Sequence, residues 1–169
     1  MNNDVVLVDA LDNIIGYQEK NLAHINGSLH RAVSVFIFNS KGEWLLQRRS
    51  FSKYHSPGLW SNACCTHPFP GESNLQAAKR RVKEELGMEI NVEERFRIIY
   101  DFSLDNGMRE HELDTIYIAV CDKTPMINKD EIHEYRYITL AQIEKKLSNE
   151  PFSFTCWFKQ IFRRVDFNI

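Results

Sequence analysis

The sequence of 169 residues predicts a domain of the α/β (α+β) class, in which a few helices pack on a mixed β-sheet. Segments rich in β-branched and aromatic residues dominate the first two thirds of the chain. The spacing of apolar residues then becomes helical after Ser73, and strands and helices do not alternate regularly. Because no repeat or Pro/Gly/Ser-rich linker divides the chain, we expect a single domain over residues 1–169.

Six segments have the composition of β-strands, and short polar segments separate them. Residues 5–8 form an apolar run that ends at a polar turn. Residues 32–38 and 44–49 flank a turn that contains Gly42, which predicts a hairpin because glycine adopts a positive φ at little cost. The remaining predicted strands are residues 96–104, 113–121 and 134–138.

Three helices are expected. Apolar residues recur at intervals of three and four at Leu75, Ala78, Val82 and Leu86. This period predicts an amphipathic helix over 74–86, with Ser73 or Asn74 as its N-cap and Gly87 at its end. Two further helices are predicted over 140–147 and 154–165.

The balance of charges excludes several classes of function. Lys and Arg number 21 against 23 Asp and Glu, so the net charge is −2 and the pI about 6.3. No uniform field would attract nucleic acid or an anionic membrane. Residues 1–12 lack the pattern of a secretory signal, and no apolar run is long enough to span a bilayer. We therefore expect a cytoplasmic protein whose four cysteines are reduced.

Residues 71–87 carry the strongest signal for phosphate and metal binding. Arg81 and Glu85 lie four residues apart, as do Arg80 and Glu84, and such pairs commonly form salt bridges on a solvated helix face. The adjacent Glu84 and Glu85, however, place like charges side by side, and a hard cation with oxygen ligands would relieve their repulsion. These residues by themselves leave both interpretations open.

This stretch resembles the Nudix box, a loop and helix that bind magnesium diphosphate. The positions that match in register are Glu72, Arg80, Val82, Glu84, Glu85 and Gly87. Thr66 replaces the glycine expected six residues before Glu72, and Arg81 replaces the glutamate expected after Arg80. The resemblance implies a Nudix-like α/β/α sandwich with a mixed sheet and a degenerate Nudix loop-helix. Because Arg81 stands in place of a metal-binding carboxylate, it favours diphosphate binding over hydrolysis.

Two short clusters contain residues suited to acid–base or metal chemistry. Cys65 and His67 face the same side of an extended segment, where a nearby cation or metal would lower the pKa of the thiol. Glu110 and Glu112 alternate onto one face of a strand start, with His111 opposite. Taken singly, the thiol and the histidine are more readily explained by packing, and the carboxylates by an exposed junction of charged residues.

Two more histidines, His24 and His30, precede the first long strand. Together with His67, Glu110 and Glu112 they offer three imidazoles and two carboxylates. Such a set suits six-coordinate Mn²⁺, Mg²⁺ or Zn²⁺ better than a tetrahedral structural zinc. The sequence does not show that these residues meet.

In order along the chain, these features resemble the type I isopentenyl-diphosphate Δ-isomerase family almost end to end. The matching features are Glu19-Lys20, His24, His30, Arg48-Arg49, Ser52-Lys53, residues 57–60, 65–68 and 71–73, the degenerate Nudix helix, residues 110–112 and Trp157-Phe158. The resemblance implies reversible interconversion of isopentenyl diphosphate and dimethylallyl diphosphate, without a flavin. A small-molecule substrate and a monomer or weak dimer are expected.

The resemblance also implies roles for individual residues. The implied catalytic residues are Cys65, Glu112, Tyr100 and Trp157. The implied diphosphate-binding cations are Lys20, Arg49, Lys53 and Arg81. A first ion, Mn²⁺, Mg²⁺ or Zn²⁺, would be held by His24, His30, His67, Glu110 and Glu112. A second ion, Mg²⁺ bound with the diphosphate, would be held by Glu85. Only structural roles are expected for Cys64, Cys121, Cys156, His55, His111 and His133.

Two alternatives come from other interpretations of the same residues. A Nudix hydrolase acting on a nucleoside or prenyl diphosphate would use the same helix, although Arg81 speaks against it. A non-catalytic binding module stabilised by zinc would use Cys64, Cys65 and the histidines, but it leaves the Nudix helix and Trp157 unexplained.

Overall fold

A computed structural model describes residues 3–104 and 106–164. Within these residues, nine strands form one sheet and four α-helices pack on it. The strands are β1 (Asp4–Val8), β2 (Ile14–Glu19), β3 (His30–Phe38), β4 (Trp44–Arg49), β5 (Trp60–Ser61), β6 (Cys64–Thr66), β7 (Glu93–Ser103), β8 (Arg109–Val120) and β9 (Ile132–Ile138). The helices are α1 (Lys20–Asn26), α2 (Asn74–Leu86), α3 (Leu140–Asn149) and α4 (Cys156–Phe162), with a 3₁₀ turn at Pro151–Ser153.

All six predicted strands are present, and the helix predicted over 74–86 is α2. The last helix begins at Cys156 rather than at residue 154, because Thr155 caps it by accepting from the backbone N–H of Phe158. Its predicted end, Val165, lies outside the described residues, as does Asp105 between the strands predicted over 96–104 and 113–121. The short elements β2, α1, β5 and β6 were not predicted.

Strand β3 lies between β6 and β8 in the sheet. It pairs in parallel with β8 along its whole length and in antiparallel with β6, and β8 pairs in antiparallel with β7. The predicted hairpin of β3 and β4 is formed at its turn, where Phe38 lies opposite Trp44. Beyond the turn the two strands diverge, since β4 pairs with β9 and β5.

The alternation of side chains along β3 produces two packed layers. Val33, Val35 and Ile37 face α2 in one core cluster, whereas Phe36 and Phe38 face α3 and α4 in the other. The sheet therefore lies between α2 on one side and α3 with α4 on the other, which confirms the α/β/α sandwich. Among the described residues, no helix is both long and apolar enough to cross a bilayer.

The same alternation separates the two adjacent cysteines. Cys64 is fully buried in the core that contains α2, whereas Cys65 packs with the cluster on the other face. On β8, Glu110, Glu112 and Asp114 follow each other at intervals of two residues, so all three carboxylates share one face. Strand periodicity therefore sets which residues can meet.

Helix α2 is terminated at both ends by its own sequence. Ser73 and Gln76 form a capping box at its start, and Gly87 ends it with a φ of 63°. A side chain at Gly87 would also place its Cβ 3.0 Å from the Met126 carbonyl oxygen. Both the left-handed backbone and the close contact therefore require glycine here.

We predict that Gly87→Ala lowers the free energy of unfolding by about 1–2 kcal/mol, because an L-residue is strained in the left-handed region. Urea unfolding of the full chain measures the change. Gly16→Ala is the matched control, since an added Cβ there lies 3.9 Å from Leu7 Cδ1 in ordinary contact. Equal stability losses in the two variants would contradict the prediction.

Candidate active site

One cleft of about 720 Å³ brings together most of the residues that the sequence indicates. The predicted site residues that line it are Lys20, Arg49, Lys53, Cys65, His67, Arg81, Glu85, Tyr100, Glu110, Glu112 and Trp157. His24 and His30 are fully buried, and the Nε2 atom of each lies within 4.0 Å of Glu112 Oε1. All the predicted site residues are therefore placed around one cleft.

The three predicted histidine ligands converge on two carboxylates. His67 Nε2 lies 2.8 Å from Glu112 Oε1, His30 Nε2 lies 3.6 Å from the same atom, and His24 Nε2 lies 3.7 Å from Glu110 Oε2. In His24 and His30, Nδ1 lies 2.7 Å from a backbone carbonyl and donates to it. This bond leaves the lone pair of Nε2 directed toward the carboxylates.

These atoms need a further partner. His24 Nε2, His30 Nε2 and Glu110 Oε1 are buried and have no hydrogen-bond partner. Burial lowers the pKa of His67 to about 3. Burial alone would raise the pKa of Glu112, but its hydrogen bond with His67 and the nearby His30 ring bring it well below its usual range. A metal would bind these groups as neutral imidazoles and ionised carboxylates, and the unpaired nitrogen and oxygen atoms of this set fit a divalent cation.

His55, for which only a structural role was expected, also faces this cluster. Its Nδ1 lies 3.3 Å from Glu110 Oε1, and its ring meets Trp157 edge-on with the centroids 5.7 Å apart. Burial lowers the pKa of His55 to about 2, so the ring is neutral. No spacing in the sequence indicated this position, because it depends on the fold of the loop between β4 and β5.

The Cys65 thiol is held by two fixed polar groups. It donates to Asn62 Oδ1 at 3.2 Å and lies 3.4 Å from Ser34 Oγ. Burial, and next the charge of Asp114, raise the pKa of Cys65 to about 12. In these surroundings the thiol keeps its proton at neutral pH.

Tyr100 and Trp157 both line the cleft. The Tyr100 hydroxyl donates to Glu112 Oε2 at 2.5 Å, because Tyr100 on β7 is directly opposite Glu112 on β8. Trp157 Nε1 donates to Ser61 Oγ at 3.0 Å, which fixes the plane of the indole. The Arg49 guanidinium lies 5.3 Å from the centre of the indole ring.

Four predicted cations, Lys20, Arg49, Lys53 and Arg81, line the same cleft. Burial, and then repulsion from Lys53, Arg81 and Arg49, lower the pKa of Lys20 to about 8. The structure adds a residue that the sequence analysis missed, since Glu131 accepts from both Lys53 and Arg81. A single glutamate in a polar segment looks like any surface residue, and only the fold places Glu131 here.

The charged residues of α2 are only partly exposed to solvent. Arg81 Nη2 lies 2.5 Å from Glu85 Oε1, and Glu85 is buried in the cleft. Arg80 instead donates to Glu72 Oε1 at 2.8 Å and ties the preceding loop to the helix. Arg81 and Glu85 thus belong to the site, while Arg80 and Glu72 support it.

The fold and this cleft together define the class of protein. Residues 28–158 match the model of the NUDIX domain. Two solved structures share the fold at 22% identity: DR0079 from Deinococcus radiodurans (TM-score 0.76, covering 95% of this chain and 98% of that one) and MutT protein from Methanosarcina mazei (0.66, covering 80% and 91%). The chain therefore belongs to the Nudix domain family.

Relatives with higher sequence identity define the family of this chain more narrowly. The chain is 48% identical over 162 residues to the isopentenyl-diphosphate Delta-isomerase of Pectobacterium atrosepticum, covering 96% of this chain and 90% of the relative. It is 42% identical to the protein of the same name from Serratia proteamaculans, covering 99% and 94%. The chain belongs to the isopentenyl-diphosphate Delta-isomerase family, which confirms the resemblance in the sequence.

The metal-binding arrangement can be tested directly. We predict that His30→Leu raises the Kd for Mn²⁺ at least about tenfold, because it removes one buried imidazole from the ligand set. Competition with a chromophoric chelator measures the Kd. His133→Leu is the control, since His133 is exposed and its ring packs against Phe51. Unchanged Mn²⁺ affinity in His30→Leu would show that the histidines are not ligands.

Proposed function

We propose that this protein interconverts isopentenyl diphosphate and dimethylallyl diphosphate by metal-dependent protonation and deprotonation. The observation that carries the proposal is the layout of one cleft. Cys65, the Tyr100–Glu112 pair and Trp157 line the same cleft as the four cations. This layout suits a substrate with a short hydrocarbon at one end and a diphosphate at the other.

The proposed reaction moves one double bond. A proton is added to the terminal alkene carbon of isopentenyl diphosphate, which leaves a tertiary cation on the neighbouring carbon. Loss of a proton from the carbon on the diphosphate side then forms the new double bond, and the phosphate bonds stay intact. Water would capture the cation, so the site must exclude it. The face of Trp157 would stabilise the cation by about 2 kcal/mol.

Cys65 and Glu112 are the proposed acid–base groups. The thiol carries its proton, whereas Glu112 is ionised and accepts from Tyr100. A group that donates in one direction accepts in the other, because the reaction is reversible. The Cys65 thiol donates to Asn62 and the Tyr100 hydroxyl donates to Glu112, so the protein fixes the direction of both protons.

Lys20, Arg49, Lys53 and Arg81 are proposed to bind the diphosphate. In the free protein Glu131 neutralises two of them, and the substrate would share these cations with it. Arginine suits paired contacts with phosphate oxygens, and lysine acts as a point charge. Because Arg81 pairs with Glu85 where a hydrolase would place another carboxylate, the cleft favours isomerisation over hydrolysis.

We propose that His24, His30, His67, Glu110 and Glu112 hold Mn²⁺, Mg²⁺ or Zn²⁺, and that Glu85 holds Mg²⁺ with the diphosphate. When bound, the first ion neutralises the clustered carboxylates and fixes the orientation of Glu112. We propose that no flavin takes part. A cytoplasmic location and a monomer or weak dimer stay predictions of the sequence.

The central test uses the full chain with Mg²⁺ and isopentenyl diphosphate. We predict that the wild type forms dimethylallyl diphosphate without free phosphate. Cys65→Ala and Glu112→Gln should lower turnover at least about 10²-fold, because each removes one acid–base group. Product is measured by ³¹P and ¹H NMR, and circular dichroism checks the fold. Comparable phosphate release would favour a hydrolase, and wild-type turnover in either variant would refute the assigned roles.

The lowered pKa of Lys20 predicts proton uptake on binding. A bound anion favours the ammonium form, so the pKa of Lys20 rises from about 8. At pH 8.5, binding of inorganic pyrophosphate with Mg²⁺ should therefore take up roughly half a proton or more, and affinity should fall as the pH rises above 8. Calorimetry in buffers of different ionisation enthalpy measures the uptake.

Lys20→Arg is the matched control for this experiment, because its side chain stays charged throughout. Subtracting its proton uptake from that of the wild type removes the contribution of pyrophosphate itself. Equal uptake in the two proteins would show that Lys20 does not titrate at the binding site.

A further inference from the structure

The proposed catalytic side chains are joined by hydrogen bonds through buried residues that have no assigned role. On one side, Trp157 Nε1 donates to Ser61 Oγ at 3.0 Å, and Ser61 Oγ donates to Asn62 Oδ1 at 3.0 Å. Asn62 Oδ1 also accepts from Cys65 Sγ at 3.2 Å. The indole and the thiol are thus fixed relative to each other.

On the other side, a second chain leads from Cys65 toward Glu112. Cys65 Sγ lies 3.4 Å from Ser34 Oγ, which donates to Asp114 Oδ2 at 2.7 Å. Tyr100 lies 3.1 Å from the same Asp114 oxygen and 2.5 Å from Glu112 Oε2. One Asp114 oxygen therefore accepts from Ser34, which contacts the thiol, and also contacts the Tyr100 hydroxyl, which donates to Glu112.

The register of four strands produces this convergence. Ser34 on β3 is directly opposite Cys65 on β6, and Tyr100 on β7 is opposite Glu112 on β8. Asp114 on β8 is level with Ala32 on β3, which lies two residues before Ser34. Ala32 and Ser34 therefore share one face of the sheet with Asp114. Ser34 and Asp114 thus fill the space between the two acid–base groups.

Asp114 is too deeply buried for packing alone to explain why this position carries a polar side chain. The side chain has no exposed surface, and Ser34 is 1% exposed. An apolar residue would fill this position without the desolvation cost of a carboxyl group. The chain nevertheless places the carboxyl group of Asp114 where two hydroxyl groups converge.

We propose that Ser34 and Asp114 are positioning residues for the acid–base chemistry. Asp114 Oδ2 orients the Cys65 thiol through Ser34 and orients Glu112 through Tyr100, so that one atom sets the separation of the two groups. The inference rests on the proposed function of the cleft. Displacements of about 1 Å at a reacting group can lower turnover about 10²-fold, so the effect should appear in kcat.

The test is a double-mutant cycle on the full chain, with Mg²⁺ and isopentenyl diphosphate. We predict that Ser34→Ala lowers kcat about 10-fold and that Asp114→Asn lowers it about 10²-fold, because Asp114 serves both sides. Ser34 acts through Asp114, so the double variant should stay within about 3-fold of Asp114→Asn. The KM should change less than about 3-fold, since the diphosphate cations are untouched.

A second measurement does not depend on turnover. The rate at which iodoacetamide alkylates Cys65, identified by mass spectrometry, should rise at least about 3-fold in Ser34→Ala and in Asp114→Asn, because the thiol loses its fixed neighbour. Ser148→Ala is the control, since this exposed hydroxyl on α3 donates to the Glu144 carbonyl. Thermal unfolding excludes global destabilisation as the cause of faster alkylation.

The outcomes separate this inference from the proposed function. A wild type that does not isomerise the substrate would refute the function of the cleft. A wild type that isomerises, with Ser34→Ala equally active or with the losses of the two variants multiplying to about 10³-fold, would overturn the positioning role alone. Unchanged alkylation of Cys65 in both variants would overturn it as well.

Discussion

The parallel pairing of β3 with β8 is the constraint on which the rest of the site depends. This register sets His30 level with Glu112 and Ala32 level with Asp114. Because side chains alternate along a strand, the same pairing collects Glu110, Glu112 and Asp114 on one face. A shift of one residue would turn all three carboxylates toward α2 and away from the histidines. The hydrophobic packing of β3 on both faces holds this register in place.

Burial shapes the electrostatics of the cleft. Three imidazoles and two carboxylates are enclosed together, and their unsatisfied nitrogen and oxygen atoms fit a divalent cation. Burial lowers the pKa of Lys20, positive groups in the same cleft lower it further, and Glu131 offsets part of their charge. The fold therefore gathers several cations in one cleft of a chain whose net charge is only −2.

Much of the site was predictable because its residues belong to short local patterns. The Nudix helix has a clear apolar period and strong caps, so its bounds and its charged stripes follow from residues 73–87. Glu110 and Glu112 share a face by strand alternation alone. His55 and Glu131 carried no such pattern, since each lies in a connecting segment whose path depends on packing with distant strands. Ser34 and Asp114 looked like ordinary polar residues in apolar strands.

The sequence by itself determined the class of fold, the main strands and helices, the family, and the set of residues suited to binding a metal and a diphosphate. Local periodicity, caps and motif spacing carry that information, because they act over a few residues. Tertiary structure alone decided that these residues meet, that the Cys65 thiol keeps its proton, and that buried hydrogen bonds join it to Glu112. Those properties depend on desolvation and on contacts between strands far apart in the chain, which no local pattern encodes.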